Sequence, residues 1–229
     1  GNTALEGLRE ALEGDFATPK VSKALAVADK LILPGVWRFT RLGYTRSRRH
    51  WNAMSAYMND RHALITGATS GIGRELVRQL CTKGYTVGAT GRRLDCLTSL
   101  KKEIGDLVVV KEMDVSKPEV AINNLNELID ELGGVEIIVI SAGLLLWNPE
   151  LDFKVDLDVI AVNVIGFTAI ANFSVNYFIK QKKGHLVAIS SISALRGSGK
   201  APSYPASKAY MSNYLQGLRK KVFKLKVPI

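Results

Sequence analysis

The stretch Ala63-Leu64-Ile65-Thr66-Gly67-Ala68-Thr69-Ser70-Gly71-Ile72-Gly73 decides the fold. Ala63, Leu64 and Ile65 read as a short apolar strand, and the residues from Thr66 to Gly73 as a glycine-rich turn. Residues 74–83 continue as an amphipathic helix that Gly84 stops. Strand, glycine turn and helix in this order form a dinucleotide-binding arrangement. Gly67 permits the tight turn, Gly71 lets backbone approach a pyrophosphate, and Gly73 lets helix pack on strand. The phosphates then face a helix N-terminus, where free N–H groups and the helix dipole favour anions. Gly67, Thr69, Ser70, Gly71, Ile72 and Gly73 are the candidate cofactor residues of this turn.

Downstream, strands and helices alternate, which argues an α/β fold: a doubly wound parallel sheet of Rossmann type with helices on both faces. The second strand, 86–90, ends in Gly91-Arg92-Arg93. An acidic residue near this point would accept the ribose 2′-OH of NAD. Arginines stand there instead, and a guanidinium suits a 2′-phosphate, so the reading is NADP (NADPH). The competing reading is a basic pair at a helix start pointing to solvent. A third strand, 107–111, leads into Met113-Asp114-Val115, where Asp114 either contacts adenine or caps the next helix. The fourth, 135–140, has the composition of a strand buried on both faces and ends in Ser141-Ala142-Gly143. A long helix is expected over 156–181. It holds Asn163 among apolar neighbours, as a packing support or as the holder of a water. The fifth strand, 185–190, brings Ser190 and Ser191 to the sheet edge where ligands bind in this architecture.

The helix that follows carries Tyr204-Pro205-Ala206-Ser207-Lys208. Tyr204 and Lys208, four residues apart, share a helix face. An ammonium beside a phenol favours the phenolate, which suits Tyr204 to general acid/base work. Alone the pair is a weak signal, and a Tyr packed on a core with a Lys at the rim would look the same. The upstream elements give it weight.

Composition narrows the alternatives. The 229 residues are 47% hydrophobic, enough for one α/β domain with an appendage. The apolar run 137–147 is too short to span a bilayer as a helix. No apolar leader core opens the chain, and Cys81 and Cys96 match neither a metal-ligand spacing nor a disulfide framework. A cytoplasmic location is the default expectation, and no metal site is expected. The net charge of +10 traces to Arg38, Arg41, Arg46, Arg48 and Arg49 and to Arg219, Lys220, Lys221, Lys224 and Lys226. These read as solvated faces rather than as nucleic-acid or membrane-surface sites.

Residues 1–60 read as a helical extension of a different style, with no catalytic constellation; the second domain runs over 61–229. The four closing residues, Lys226-Val227-Pro228-Ile229, stand where a sixth strand would begin. Leu31-Ile32-Leu33-Pro34-Gly35 resembles a strand ending in a proline-glycine turn, so a rearranged chain is conceivable; a truncated one is the favoured reading.

Together these residues resemble the short-chain dehydrogenase/reductase family in its NADP-linked branch of small bacterial reductases. Thr66 to Gly73 matches the family's cofactor turn, Arg92 sits just past the NAD-selecting position, and Asp114-Val115 matches the adenine-side pair. Ser141-Ala142-Gly143 aligns with the family's N-A-G element, with Ser141 in place of the usual Asn. Asn163, Ser191, Tyr204 and Lys208 align with the catalytic tetrad; Ser191 is chosen over Ser190 by its separation from Tyr204. The resemblance implies hydride transfer between NADP(H) and a carbonyl or alcohol substrate. Tyr204 would move the proton, Ser191 hold the oxygen, Lys208 bond the nicotinamide ribose, and Asn163 anchor a water. It also implies a homo-oligomer, with Phe167, Phe173, Tyr177, Tyr210 and Tyr214 at the contact face or in the core, and no nucleic-acid partner. By the same token the usual C-terminal strands and substrate loop are missing from the chain. The rival reading is a non-catalytic NADP-binding sensor or scaffold on the same fold.

Overall fold

Five short strands alternate with helices in the computed structural model, which describes residues 61–224. The expected extension over 1–60, the early arginine cluster, the segment 31–35 and the last five residues lie outside the described residues. The elements run β1 (His62–Thr66), α1 (Gly71–Thr82), β2 (Thr86–Gly91), α2 (Leu94–Ile104), β3 (Val108–Glu112) and α3 (Pro118–Leu132). They continue with β4 (Ile137–Ile140), α4 (Phe153–Ile160), a π-helical segment (Ala161–Gly166), α5 (Phe167–Gln181) and β5 (His185–Ala188). A short 3-10 turn (Ile192–Leu195) precedes α6 (Ser203–Lys224).

All four strand pairings are parallel, and the sheet order is β3-β2-β1-β4-β5. The chain winds outward from β1 to β3, then crosses to β4 on the other side of β1. The order therefore reverses between β1 and β4, and the carboxyl ends of these strands flank the crevice where ligands bind in such sheets. β1 and β4 are central and almost continuously apolar, because helices cover both faces. Leu64, Ile138, Ile140, Leu125, Leu128, Phe167, Ile170 and Phe178 meet in the core cluster.

The helix expected over 156–181 starts earlier, at Phe153, because the Asp152 carboxylate accepts a hydrogen bond from the Lys154 N–H as an N-cap. It is also not uniform: the six residues Ala161–Gly166, including Asn163, are π-helical. Such segments inside helices frequently mark functional sites. A Cβ on Gly166 would lie 2.3 Å from the Val115 carbonyl oxygen, so only glycine lets this segment press on the β3–α3 connection. The Phe153–Gln181 run is apolar and long enough to cross a bilayer. Half of its most apolar window is buried in the protein, with Phe167, Ile170, Ala171 and Phe178 in the core.

The aromatic residues divide. Phe167 is core, and the Tyr177 hydroxyl accepts a hydrogen bond from the Val135 N–H. Tyr210 and Tyr214 stack with ring centroids 5.4 Å apart, and their hydroxyls meet Thr168 and Asn172 of α5.

Candidate active site at the β1–β4 crevice

Gly67, at φ +77°, takes a conformation that costs other L-residues. A Cβ there would also lie 2.6 Å from Ala142 backbone, so the two loops that leave β1 and β4 touch. The end of β4 is fastened by Ser141 N–H to the Thr66 carbonyl at 3.1 Å and Ala142 N–H to the Thr66 hydroxyl at 3.5 Å. Main chain and Thr66 thus hold this junction with serine at position 141. A Cβ on Gly73 would come within 2.3 Å of the Gly67 carbonyl oxygen. Gly73 therefore lets α1 pack on its own preceding turn rather than on the strand. Gly71, at φ +57°, faces open space, with nothing within 4 Å of a Cβ. No side chain caps α1 and no acid lies in its first turn. Open N–H groups, the helix dipole and space at Gly71 fit a dinucleotide pyrophosphate.

The two arginines after β2 are placed differently. Arg93 donates to the Thr69 hydroxyl at 2.9 Å and the Ser70 hydroxyl at 2.8 Å. Arg92 is exposed and lies near Asp114. Asp114 does not cap α3, whose N-cap is Lys117; it closes a local turn by accepting from the Ser116 N–H at 3.0 Å and hydroxyl at 2.7 Å. Burial pushes its carboxyl up, but the Ser116 hydrogen bonds, with Arg92 and Lys117 nearby, bring it below its usual value. Val115 is buried beside it.

Asn163 is fully buried and its carboxamide is heavily committed. Oδ1 accepts from the Leu144 N–H at 2.7 Å, and Nδ2 donates to the Leu144 carbonyl at 2.8 Å and the Ser207 hydroxyl at 3.0 Å. Ser207 in turn donates to the Tyr204 carbonyl at 2.7 Å. One amide thus ties the loop after β4 to the first turn of α6. One lone pair on Oδ1 is left for a further donor. Sequence reasoning named Asn163 but missed Ser207, whose signal was its place between Tyr204 and Lys208.

The two serines after β5 are also told apart. Ser190 bonds to Ser212 at 2.7 Å and to the Lys208 carbonyl at 3.3 Å, so its hydroxyl is spent on α6. Ser191 Oγ accepts from the Ser193 N–H at 3.1 Å as the cap of the 3-10 turn, which leaves its O–H to donate. Lys208 is 4% exposed. Its Nζ donates to the Ile189 carbonyl at 2.9 Å and lies 5.8 Å from the Tyr204 ring centroid. Burial pulls the ammonium down to about 8. A Cβ on Gly143 would stand 3.2 Å from Nζ and 3.7 Å from Asn163 Oδ1. Gly143, Asn163, Lys208 and Tyr204 are therefore gathered around one space at the sheet's carboxyl edge. Among the described residues, no group of three His, Cys, Asp or Glu side chains is placed to hold a metal ion.

Residues 61–229 match the family model for short chain dehydrogenases, and the chain belongs to that family of oxidoreductases, which use a nicotinamide dinucleotide. The chain is similar to an uncharacterized oxidoreductase of Myxococcus xanthus, 36% identical over 169 residues, covering 72% of this chain and 67% of the relative. Among solved structures, serine dehydrogenase from Escherichia coli superposes with a TM-score of 0.66 at 28% identity, covering 70% of this chain and 75% of that one. A closed form of serine dehydrogenase complexed with NADP+ gives 0.65 at 27% identity, covering 70% and 66%.

Proposed function

We propose that this chain is an NADP(H)-dependent oxidoreductase that interconverts a carbonyl and a secondary alcohol, with Tyr204 as general acid/base. The observation that carries this reading is the buried Lys208 ammonium beside the Tyr204 ring, set at the carboxyl edge of the β1–β4 crevice. In the reductive direction the Tyr204 phenol donates its proton to the carbonyl oxygen. Ser191, with its O–H unspent, donates a hydrogen bond to the same oxygen, where negative charge develops. Lys208 favours the phenolate that Tyr204 leaves behind and has donors remaining for a ribose hydroxyl. Asn163 is a positioning residue, and its free Oδ1 lone pair and Lys208 Nζ both border the space at Gly143, the place for a bridging water.

Gly67, Thr69, Ser70, Gly71, Ile72 and Gly73 would hold the pyrophosphate, Asp114 and Val115 the adenine side, and Ser141, Ala142 and Gly143 the nicotinamide side. When bound, the dinucleotide supplies or takes the hydride. NADP is favoured over NAD because Arg92, Arg93 and the Thr69 and Ser70 hydroxyls put positive charge and donors at the end of β2. The NADP+ complex of the related serine dehydrogenase supports this choice. The stacked Tyr210 and Tyr214 on α6 and the exposed residues of α4 and α5 are the face proposed for a homo-oligomer.

The test is Tyr204→Phe. Turnover with NADPH should fall at least ~100-fold, the scale of a lost general acid, while the NADPH dissociation constant stays within a factor of two to three. Parallel loss of both would reject the role given to Tyr204 and make it a residue that holds the cofactor.

A further inference from the structure

The apolar surface beside Lys208 bears on substrate class, given Tyr204, Ser191 and Lys208 as the proposed reacting centre. Gly143 to Trp147 alternate between exposed and half-buried. Leu144 presents its N–H and its C=O together to one carboxamide, as an extended residue can, and its side chain packs on the core cluster. Its neighbours therefore face the opposite way, with the two-residue repeat of extended chain. Gly143 shows which way that is, because a Cβ there would stand 3.2 Å from Lys208 Nζ. Leu145 and Trp147 follow on the Lys208 side, 46% and 66% exposed.

A second apolar edge comes from the other loop. Directly after Ser191, Ile192 is 39% and Leu195 83% exposed. The two loops are tied where the Asn148 N–H donates to the Lys200 carbonyl at 2.7 Å, and buried Asn148 braces the first loop through the Asp152 backbone. Charges in these loops are balanced: Arg196 and Lys200 against Glu150 and Asp152, all exposed. Among the described residues Lys208 is the one buried cation, and the proposed chemistry uses it. A substrate carboxylate or phosphate has no dedicated partner among the described residues of these loops.

From this placement we infer that the substrate is a carbonyl or alcohol carrying an apolar aryl or alkyl group, without an anionic group, laid against Leu145, Trp147, Ile192 and Leu195. Each methylene laid on such a wall is worth ~4-fold in kcat/KM.

The experiment uses the full 229-residue chain with NADPH, and with NADH in parallel. Butan-2-one, heptan-2-one, decan-2-one and acetophenone are compared with 4-oxopentanoate as the anionic control. Binding of decan-2-ol is read separately by Trp147 fluorescence in Tyr204→Phe, against the same variant carrying Trp147→Phe. Expected are a rise in kcat/KM with chain length and acetophenone above 4-oxopentanoate. Trp147→Ala should lose up to ~10-fold on decan-2-one, little on butan-2-one, and nothing in NADPH affinity. Fastest turnover of 4-oxopentanoate, or no dependence on chain length, overturns the substrate class and leaves the reductase reading standing. A fluorescence response to decan-2-ol with no ketone turned over supports the apolar wall and defeats the reductase reading. No response and no turnover defeats both. Unchanged kinetics in Trp147→Ala with a changed oligomer size in ultracentrifugation assigns the face to a second copy of the chain and overturns the inference.

Discussion

Asn163→Ala removes the amide that joins the loop after β4 to the Tyr204 helix. The wild-type side chain is 0% exposed and makes three hydrogen bonds, to the Leu144 N–H, the Leu144 carbonyl and the Ser207 hydroxyl. Truncation strands both Leu144 backbone groups, and a buried polar group without a partner costs about 1–3 kcal/mol. Leu144 is half-buried, so water relieves part of that cost, while the emptied space adds a smaller packing loss. The sum is about 3–5 kcal/mol. A domain of this size loses about 2–4 °C per kcal/mol, so the melting temperature should drop by roughly 6–20 °C. Asn163→Asp keeps an acceptor for the Leu144 N–H but loses both donors and buries a charge; its cost should be at least as large. Urea unfolding followed by far-UV circular dichroism measures both variants, and NADPH titration of the folded fraction reports on the site. A loss below about 1 kcal/mol in Asn163→Ala, together with abolished turnover, would refute the bracket and leave Asn163 a purely chemical role.

Other outcomes follow from the same geometry. Lys208 in the unfolded chain keeps its proton to about pH 10.4, whereas burial brings the folded group down to about 8. Between these values the unfolded state binds more protons, so wild-type stability rises with pH relative to Lys208→Met, by about 3 kcal/mol in all; a difference that stays flat from pH 7 to 10.5 in paired urea curves refutes the buried ammonium. Gly73→Ala should destabilise by about 1–3 kcal/mol or more because its Cβ meets the Gly67 carbonyl at 2.3 Å. Gly71→Ala costs only about 1–2 kcal/mol of left-handed strain yet should weaken NADPH binding, and equal effects of the two on thermal melting and affinity would contradict the separate roles. Arg92→Ala should raise the NADPH dissociation constant by ~10-fold or more, the worth of a charge-assisted hydrogen bond, with little change for NADH; an equal change for both cofactors excludes contact with a 2′-phosphate.

Local pattern was enough for the parallel α/β fold. Apolar runs such as 137–140, the glycine spacing from Gly67 to Gly73 and the alternation of strand with helix each depend on residues a few positions apart, and backbone sterics and burial read them the same way in any context. The Tyr204–Lys208 pair and the Arg92–Arg93 pair were legible for the same reason. The start of the long helix at Phe153 rather than at 156 turned on which of the closely spaced acids Asp152, Asp156 and Asp158 caps it, and it is Asp152. What only the tertiary structure decided were relations between distant segments. The bracket from Asn163 to Leu144 and Ser207 and the press of Gly166 on Val115, both made from the π-helical segment, join residues from 19 to 51 positions apart. The division of labour between Ser190 and Ser191 follows from which hydroxyl α6 consumes. Lys208 looks in sequence like any helix-surface lysine, and it becomes a buried ammonium with a lowered pKa only because β5, α6 and the loop after β4 close around it. Burial and hydrogen-bond partners are properties of the packed chain, and no local spacing encodes them.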